Sequence, residues 1–430
     1  MNLAVVGAGW SGLAAAVRAV QLGHQVALFE ASHQVGGRAR ALRVVLPDGN
    51  LHMLDNGQHI LIGAYRETLA MLRLVGVDPA AALLRMPLSL QFTDSSGLNL
   101  PDWPAPIDAL AGILTARGWR LADKWSLLRL ALGWRVAGFA CDPASSVAQL
   151  CRTASPRIMS DLIEPLCVSA LNVPAARASA QVFLRVVQDS LLGARGGSNL
   201  LLPRVDLSAL FPAAAATWLS RHGAVVHLGQ RVQRIEPIRD SWRVNGQMFD
   251  QVVLAAPVRD SLRIVDATLA TANAPLAPAL RAWSGAARAM RHTAITTVYA
   301  WQRGARLGKP MLALHADSGP AQFVFDRGQL GGPAGLLAFV VSASTHDREA
   351  VTAGCLRQGV TQLGLVLEPV QTVVEKHATF ACTPGVQRPP MVITNGLWAC
   401  GDYVEGPYPA TLEGAVRCGL AVIRSSGSAL

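Results

Sequence analysis

The first residues that could do chemistry are three glycines and a carboxylate near the N-terminus. Gly7, Gly9 and Gly12 have the G-x-G-x-x-G spacing and lie between an apolar run and an alanine-rich run. Such glycines permit a tight turn, a close approach of the backbone to a diphosphate, and close packing of a helix on a strand. Glu30 ends a second apolar run, where a carboxylate accepts hydrogen bonds from ribose hydroxyls. The pattern predicts a dinucleotide site, and a glycine turn without a nucleotide is the alternative.

A glycine pair and an arginine indicate which dinucleotide is bound. Gly36 and Gly37 precede Arg38, shortly after Glu30. The glycine N–H groups can face a diphosphate, and the guanidinium group can neutralise it or hold the flavin edge. These contacts suit FAD, which is longer than NAD. A basic surface loop is the alternative.

Two further segments carry groups suited to a flavin site. Gly401 and Asp402 follow an apolar run and precede the start of a last helix, which suits the ribityl chain and the diphosphate. The segment 55–59, Asp-Asn-Gly-Gln-His, brings two ionisable groups beside a flexible glycine. We expect it near the flavin, although a turn that caps a strand is the alternative.

The length of 430 residues allows two hydrophobic cores. We predict an α/β fold with a discontinuous Rossmann-like FAD-binding domain, of the glutathione-reductase-like kind, and an inserted α+β substrate domain. The FAD-binding domain takes residues 1–64, 196–257 and 377–430. The substrate domain takes residues 65–195 and 258–376, and 65–195 is expected to be mainly helical because it lacks regular strand alternation.

One predicted helix of the substrate domain has the composition of a membrane-interface helix. The segment Trp119–Trp134 combines three tryptophans with basic residues. Its helical stripe is apolar, and basic side chains lie beside it: the stripe is Leu121, Trp125, Leu128 and Leu132, and the basic residues are Arg117, Arg120 and Lys124. The pattern suits a helix in the plane of a membrane interface, and equally a helix buried in a domain.

The overall charge and the cysteines narrow the classes of partner. The formal charge is +10, but the arginines are scattered and form no basic block, so we expect no nucleic-acid partner and favour peripheral contact with an anionic membrane. The seven cysteines form no C-x-x-C pair, so no metal site or disulfide framework is predicted. The apolar N-terminal run leads straight into glycines, unlike a signal peptide, and no run is long enough to span a bilayer. We therefore expect a cytoplasmic protein at the inner face of the cell membrane.

The order of these motifs resembles the glutathione-reductase-like flavoproteins that include amine oxidases and phytoene desaturases. Four segments narrow the resemblance: Asp55–Leu61, Pro165–Asn172, Leu201–Ser208 and Tyr408–Ala415. Together they resemble the squalene-associated FAD-dependent desaturase family, which comprises the hydroxysqualene dehydroxylases of bacterial hopanoid synthesis. The resemblance extends over essentially the whole chain.

The resemblance implies reductive removal of a hydroxyl group from hydroxysqualene, an isoprenoid lipid, to give squalene and water at the expense of reduced FAD. It leaves the electron donor unidentified. The residues that it places on FAD are Gly7, Gly9, Gly12, Glu30, Gly37, Arg38, Val232, Gly401 and Asp402, with the backbone of Val232 at the adenine. Tyr403 departs from the tryptophan expected after the Gly-Asp pair. His59 is our candidate proton donor, because imidazole titrates near neutral pH, and a structural histidine beside the flavin is the alternative.

Two other functions use the same cofactor motifs. A desaturase or an amine oxidase would run in the opposite redox direction, with oxidised flavin accepting hydride from a polyene or an amine. An amine substrate would favour an aromatic cage, and the chain has only four tyrosines. A non-catalytic carrier of prenyl lipids is disfavoured, because Glu30, Arg38 and Asp402 are all present.

Overall fold

A computed structural model gives the fold of the chain and describes residues 1–191, 195–271, 274–345 and 347–427. The described residues form 21 strands. In chain order these are β1 (Asn2–Val6), β2 (Gln25–Phe29), β3 (Ala41–Val45), β4 (Leu51–Asp55), β5 (Leu61–Ile62), β6 (Leu83–Met86), β7 (Ser89–Gln91), β8 (Gly97–Asn99), β9 (Leu200–Pro203), β10 (Val225–His227), β11 (Ile235–Ile238), β12 (Ser241–Val244), β13 (Gln247–Phe249), β14 (Gln251–Leu254), β15 (His292–Trp301), β16 (Met311–Ala313), β17 (Phe323–Asp326), β18 (Leu336–Ser344), β19 (Glu368–Phe380), β20 (Val392–Thr394) and β21 (Leu397–Ala399).

The same residues form 15 α-helices. These are α1 (Trp10–Gln21), α2 (Arg66–Leu74), α3 (Pro79–Ala82), α4 (Ile107–Thr115), α5 (Leu121–Val136), α6 (Val147–Leu150), α7 (Pro156–Ile158), α8 (Glu164–Leu171), α9 (Ala180–Leu191), α10 (Leu207–Leu210), α11 (Pro212–Arg221), α12 (Val258–Leu269), α13 (Ala277–Ala289), α14 (Arg348–Leu363) and α15 (Leu412–Gly427). A π-helical turn, Met159–Ile163, leads into α8, and short 3₁₀ turns cover Ala316–Ser318 and Arg327–Leu330.

One six-stranded sheet brings together strands from both ends of the chain, in the order β10-β2-β1-β14-β21-β20. Its strands pair in parallel except β20 and β21, which are antiparallel. Residues 3–6 of β1 are all buried, as expected for a parallel strand covered on both faces. Helix α1 connects β1 to β2, so the Rossmann-like unit has the predicted strand-turn-helix order.

The last helix packs directly on the first. A Cβ atom at Gly419 of α15 would lie 2.2 Å from the carbonyl oxygen of Ser11 in α1, so only glycine permits this approach. The two ends of the chain therefore pack directly against each other.

A second sheet is antiparallel, with five strands in the order β16-β17-β18-β15-β19. Its central strand β15 pairs with β18 on one side and β19 on the other, and α14 packs against β15 and β19. This mixture of helix and antiparallel sheet agrees with an inserted α+β part. The domain boundaries at 64/65, 195/196, 257/258 and 376/377 remain predictions.

Region 65–195 is less purely helical than predicted. It contains α2 to α9, but residues 83–99 form β6, β7 and β8. These strands are only three or four residues long, too short to give a clear alternation in the sequence. Strand β6 pairs with the distant strand β9, so its partner is provided by the tertiary fold.

The helix predicted over Trp119–Trp134 begins two residues later, at Leu121. Trp119 precedes it and is buried, with its Nε1 donating to Asp161 Oδ2 at 3.3 Å. The core-facing side of α5 is formed by the residues off the predicted stripe, Leu127, Leu130 and Trp134. Among the described helices, none is long and apolar enough to cross a bilayer.

Candidate functional site

The glycine turn between β1 and α1 has the geometry of a phosphate-binding loop. Gly7 has φ +113°, and a Cβ at Gly12 would lie 1.9 Å from the Gly7 carbonyl oxygen, so the turn and the helix can meet only with glycine at both positions. A Cβ at Gly9 would meet no atom within 4 Å, which leaves open space in front of α1. No described side chain caps the N-terminus of α1. Its first N–H groups and the helix dipole can therefore face a diphosphate.

Glu30 holds the end of β2 beside the same turn. Its Oε2 accepts from the Ala8 N–H and its Oε1 from the Ser32 N–H, each at 2.8 Å. Each carboxylate oxygen keeps a lone pair for a further donor, and the side chain remains partly accessible. The geometry fits the predicted contact with ribose hydroxyls.

Val232 lies on the loop that passes Glu30, since the Gln230 N–H donates to the Glu30 carbonyl at 2.9 Å. The Val232 side chain is buried, and its carbonyl accepts from Arg263 Nη2 at 3.3 Å. Within the described part of the chain, no group accepts a hydrogen bond from the Val232 N–H. That free donor suits a ring nitrogen of adenine, as predicted for this position.

Arg38 and Asp402 connect the two halves of the candidate cofactor site. Arg38 Nη2 lies 2.5 Å from Asp402 Oδ1, and Nη1 donates to the Ala378 carbonyl at 2.7 Å. The loop before Arg38 is held against the glycine turn, because the Gly36 N–H donates to the Ala8 carbonyl at 2.8 Å. Burial opposes the charge of Arg38, yet the carboxylates of Asp402 and Glu375 hold its pKa above the usual value. A permanent cation thus lies where a diphosphate or flavin edge is predicted.

Gly401 follows β21 and packs under the ring of Tyr403. A Cβ at Gly401 would lie 2.7 Å from Tyr403 Cε1. Tyr403 is buried, and its hydroxyl donates to Ser261 Oγ at 3.2 Å. The tyrosine at this position is thus held in the core, and Asp402 lies beside Arg38.

Four residues of the candidate site were not identified from the sequence. They lie on α12, β15 and β19, in or beside the part of the chain predicted to bind substrate. They share a cleft with Arg38, Asp402 and Tyr403, and they are Arg259, His292, Glu375 and His377. Arg259 Nη1 donates to His377 Nε2 at 3.0 Å, so that nitrogen is an acceptor. Burial, together with His377 and Arg38, lowers the pKa of His292. Glu375 and His377 belong to a run of three polar residues, 375–377, near the end of β19, and that run is a sequence signal for these two.

The segment 55–59 lies between the loop that carries Arg38 and the antiparallel sheet. Asn56 Nδ2 donates to the Arg38 carbonyl at 3.1 Å and to Glu375 Oε2 at 3.3 Å. Gln58 Oε1 accepts from Arg327 Nη1 at 3.0 Å. The segment is therefore close to the residues predicted to hold the flavin, and it is anchored on both sides.

Asp55 at the start of this segment is a buried structural acid. Its Oδ1 accepts from the Leu207 N–H at 2.7 Å, whereas Oδ2 lies 4.0 Å from Arg327 Nη2, too far for a hydrogen bond. Burial raises the pKa of Asp55 to about 6, although Arg327 and the Leu207 bond act in the opposite direction. The backbone oxygen of Asp55 also accepts from the Tyr299 hydroxyl at 3.0 Å.

One ring nitrogen of His59 is hydrogen-bonded to the backbone. Its Nδ1 lies 2.9 Å from the Gly57 carbonyl oxygen, which can only accept, so Nδ1 carries a hydrogen. Nε2 is then an acceptor in the neutral ring and a donor only in the imidazolium form. Burial lowers the pKa of His59, and Arg38 adds to that effect. The neutral ring is the resting form at neutral pH.

The groups that fit a dinucleotide with a flavin are an uncapped helix N-terminus, a partly accessible carboxylate with free lone pairs, a free backbone donor and an arginine paired with Asp402. In the described ranges, no group of His, Cys, Asp and Glu side chains could hold a metal ion. The individual assignments to FAD, and that of His59 as donor, stay predictions.

Comparisons with known proteins agree with this geometry. Residues 10–422 match the family model of the flavin containing amine oxidoreductases. The hydroxysqualene dehydroxylases of Rhodopseudomonas palustris and Sinorhizobium fredii are 28% and 26% identical to the chain, covering 96% and 97% of it and 96% of each relative. The structure of cyclohexylamine oxidase from Brevibacterium oxydans superposes with a TM-score of 0.70 at 16% identity, over 100% of this chain and 99% of that one. At that identity, the superposition shows a shared fold.

Proposed function

The chain belongs to the family of flavin containing amine oxidoreductases, and on this premise we propose that it removes the hydroxyl group of hydroxysqualene reductively to give squalene. As a member of that family it is an FAD-dependent oxidoreductase. The observation that carries the substrate proposal is the similarity over 96% and 97% of this chain to two relatives named hydroxysqualene dehydroxylase.

The proposed reaction balances as an allylic alcohol plus two electrons and two protons giving a hydrocarbon and water. FAD, when bound and reduced, supplies a hydride to the carbon that loses oxygen, and a proton leaves with the hydroxyl group as water. The protein then has to align that carbon, exclude water and deliver the proton. His59 is the proposed proton donor, acting from Nε2 of its imidazolium form.

The tyrosines argue against the amine-oxidase alternative. Tyr299 and Tyr403 are buried, and their hydroxyls donate to the Asp55 carbonyl and Ser261 Oγ. The ring of Tyr408 lies under the guanidinium of Arg417, at 4.6 Å. Three of the four tyrosines are thus engaged with protein groups rather than arranged as a cage for a cationic substrate.

The decisive experiment is an anaerobic incubation of the purified, dithionite-reduced protein with hydroxysqualene. We expect the flavin absorbance to return as squalene appears in the mass spectrum, in equal amounts. The same protein left oxidised is the control and should form no squalene. A yellow protein that gives no squalene, but whose flavin is reduced by a polyene or an amine, would overturn the substrate assignment and leave the family and cofactor intact.

A further inference from the structure

Helices α4 and α5 each present an apolar stripe to solvent. On α4 the stripe is Ile107, Leu110 and Leu114, which are 57%, 46% and 55% exposed. On α5 it is Leu121, Trp125, Leu132 and Val136, which are 85%, 62%, 63% and 81% exposed. Neighbouring members of each set are three, four or seven residues apart, so each set lies on one side of its helix. We call these seven residues the docking face.

The docking face is not needed to hold the two helices in the fold. Helix α5 packs into the core through Leu127, Leu130 and Trp134, which the 3.6-residue period places on the opposite side from Leu121 and Trp125. Helix α4 packs through Gly112 and Ile113. A contiguous apolar surface that remains exposed after folding indicates an interaction site.

The two stripes belong to one surface. The helices pack against each other, and Lys124 Nζ of α5 donates to the Leu114 carbonyl at the end of α4, at 2.7 Å. A single partner can therefore cover both stripes at once.

The charge around the docking face is positive. Arg117, Arg120, Arg129 and Arg135 are exposed. The helical period places Arg129 on one side of the α5 stripe, and Lys124 and Arg135 on the other. Residues 103–136 are all described, and their two carboxylates, Asp108 and Asp123, are both buried. Within residues 103–136 the face therefore combines an apolar centre with a basic border and no exposed acid, and the exposed Asp102 lies just before this range.

We propose that the docking face binds the surface of an anionic lipid bilayer, with α4 and α5 lying in the interface plane. Apolar side chains enter the boundary between headgroups and acyl chains, Trp125 lies at headgroup depth, and the arginines meet lipid phosphates. A second copy of the chain is the less suitable partner, because a two-fold contact would bring two basic borders together. This inference is independent of the proposed substrate.

The test is flotation of the holoenzyme with vesicles of phosphatidylcholine alone or mixed with phosphatidylglycerol. We expect the wild type to float with the mixed vesicles. The double variant Leu121→Asp/Leu132→Asp should bind at least about tenfold more weakly, because each substitution removes an apolar group from the interface and adds repulsion. The matched control is Val360→Asp/Val366→Asp, which adds the same charge at positions 53% and 76% exposed elsewhere and should float like the wild type.

An arginine variant and a measurement of oligomeric state test the proposal further. Arg129→Gln/Arg135→Gln should weaken binding to the mixed vesicles while leaving flavin content and thermal unfolding unchanged. Equal flotation of the wild type and Leu121→Asp/Leu132→Asp, or no flotation of the wild type, would overturn the proposal. It would also be overturned by sedimentation without lipid that shows a wild-type dimer and a monomeric Leu121→Asp/Leu132→Asp variant, since the face would then be a contact between copies of the chain.

Discussion

At the scale of single residues, the protonation of His59 and of Asp55 is set by burial rather than by residue type. His59 keeps a hydrogen on Nδ1 for the Gly57 carbonyl, and its pKa is lowered by burial and by Arg38. Asp55 has one carboxylate oxygen without a hydrogen bond, and its pKa is raised by burial. Each shift leads to a pH effect of defined sign.

If His59 is the proton donor, turnover should rise as the pH falls below about 6.5, because only the imidazolium form has a hydrogen on Nε2. The variant His59→Gln should lose about a hundredfold in turnover with FAD retained, and its pH profile should lack that rise. Single-turnover flavin reoxidation across this range measures both. His222→Gln, which changes an exposed histidine, is the control. An unchanged profile in His59→Gln would assign the ring a structural role.

Asp55 should make the protein less stable as the pH rises. Its folded-state pKa of about 6 lies above the ordinary value of 3.8, so its contribution to stability is complete below the ordinary value and is lost as the pH rises through 6. The difference corresponds to about 3 kcal/mol, at about 1.4 kcal/mol per unit of pKa. Asp55→Asn should therefore gain stability relative to the wild type between about pH 4 and pH 7.5. Urea unfolding measures this, and the exposed Asp240→Asn should show no such trend.

At the scale of elements, two glycines of the strand-turn-helix unit differ in purpose. Folding requires one of them, whereas the other leaves space for the cofactor. Gly12 is required by packing, because its Cβ would lie 1.9 Å from a backbone oxygen, whereas a Cβ at Gly9 would meet nothing within 4 Å. The backbone at Gly9, with φ −75° and ψ 179°, is also accessible to alanine. The two glycines should therefore fail in different ways when they are substituted.

We expect Gly9→Ala to fold normally as apoprotein but to bind FAD weakly, because its methyl group enters the space in front of α1. Gly12→Ala should unfold at a lower temperature even without FAD, with a loss near the upper end of about 1–3 kcal/mol. Thermal unfolding of the apoproteins and FAD titration separate the two effects. Gly133→Ala, in an open position of α5, is the control and should be neutral or slightly stabilising. Normal FAD affinity in Gly9→Ala would place the diphosphate elsewhere.

At the scale of the whole molecule, a side chain of α15, near the C-terminus, caps the N-terminus of α2. Glu413 is fully buried, and its carboxylate accepts from the N–H of Glu67 at 3.1 Å and from the N–H of Thr68 at 2.9 Å. Thr68 Oγ1 and Arg417 Nε also donate to it, each at 2.7 Å. Helix α2 has no described side-chain cap of its own at Tyr65, so this distant carboxylate satisfies its first N–H groups.

Glu413→Ala should destabilise the protein by about 3–5 kcal/mol, since it leaves buried donors and the Arg417 cation without their partner. Glu413→Gln, which keeps an acceptor, should lie between this variant and the wild type. The thermal midpoint of each holoprotein measures the effect. Glu368→Ala, which removes an exposed carboxylate, should change the midpoint little. A midpoint of Glu413→Ala equal to that of the wild type would show that α2 is capped in another way.

The sequence by itself determined the cofactor unit, because the demands on glycine are local. Gly7, Gly9 and Gly12 limit the backbone over a few residues, and Glu30 follows at the end of the next strand. The fold class followed from the same short-range signals, and the family comparison confirms the flavin. Short strands such as β6 and β7 were missed, because a few residues carry too little alternation.

Only the tertiary structure decided which distant groups meet and which apolar face is covered. The contact of Arg38 with Asp402 spans 364 positions, and that of Glu413 with Thr68 spans 345, so no local pattern specifies either. Periodicity identified an apolar stripe on α5 but not which side of the helix packs, because that is decided only when a neighbouring element covers one side. Trp119 and Trp125 belong to the same predicted segment, yet Trp119 is buried and Trp125 is exposed, since packing rather than residue type determines which side chains water reaches.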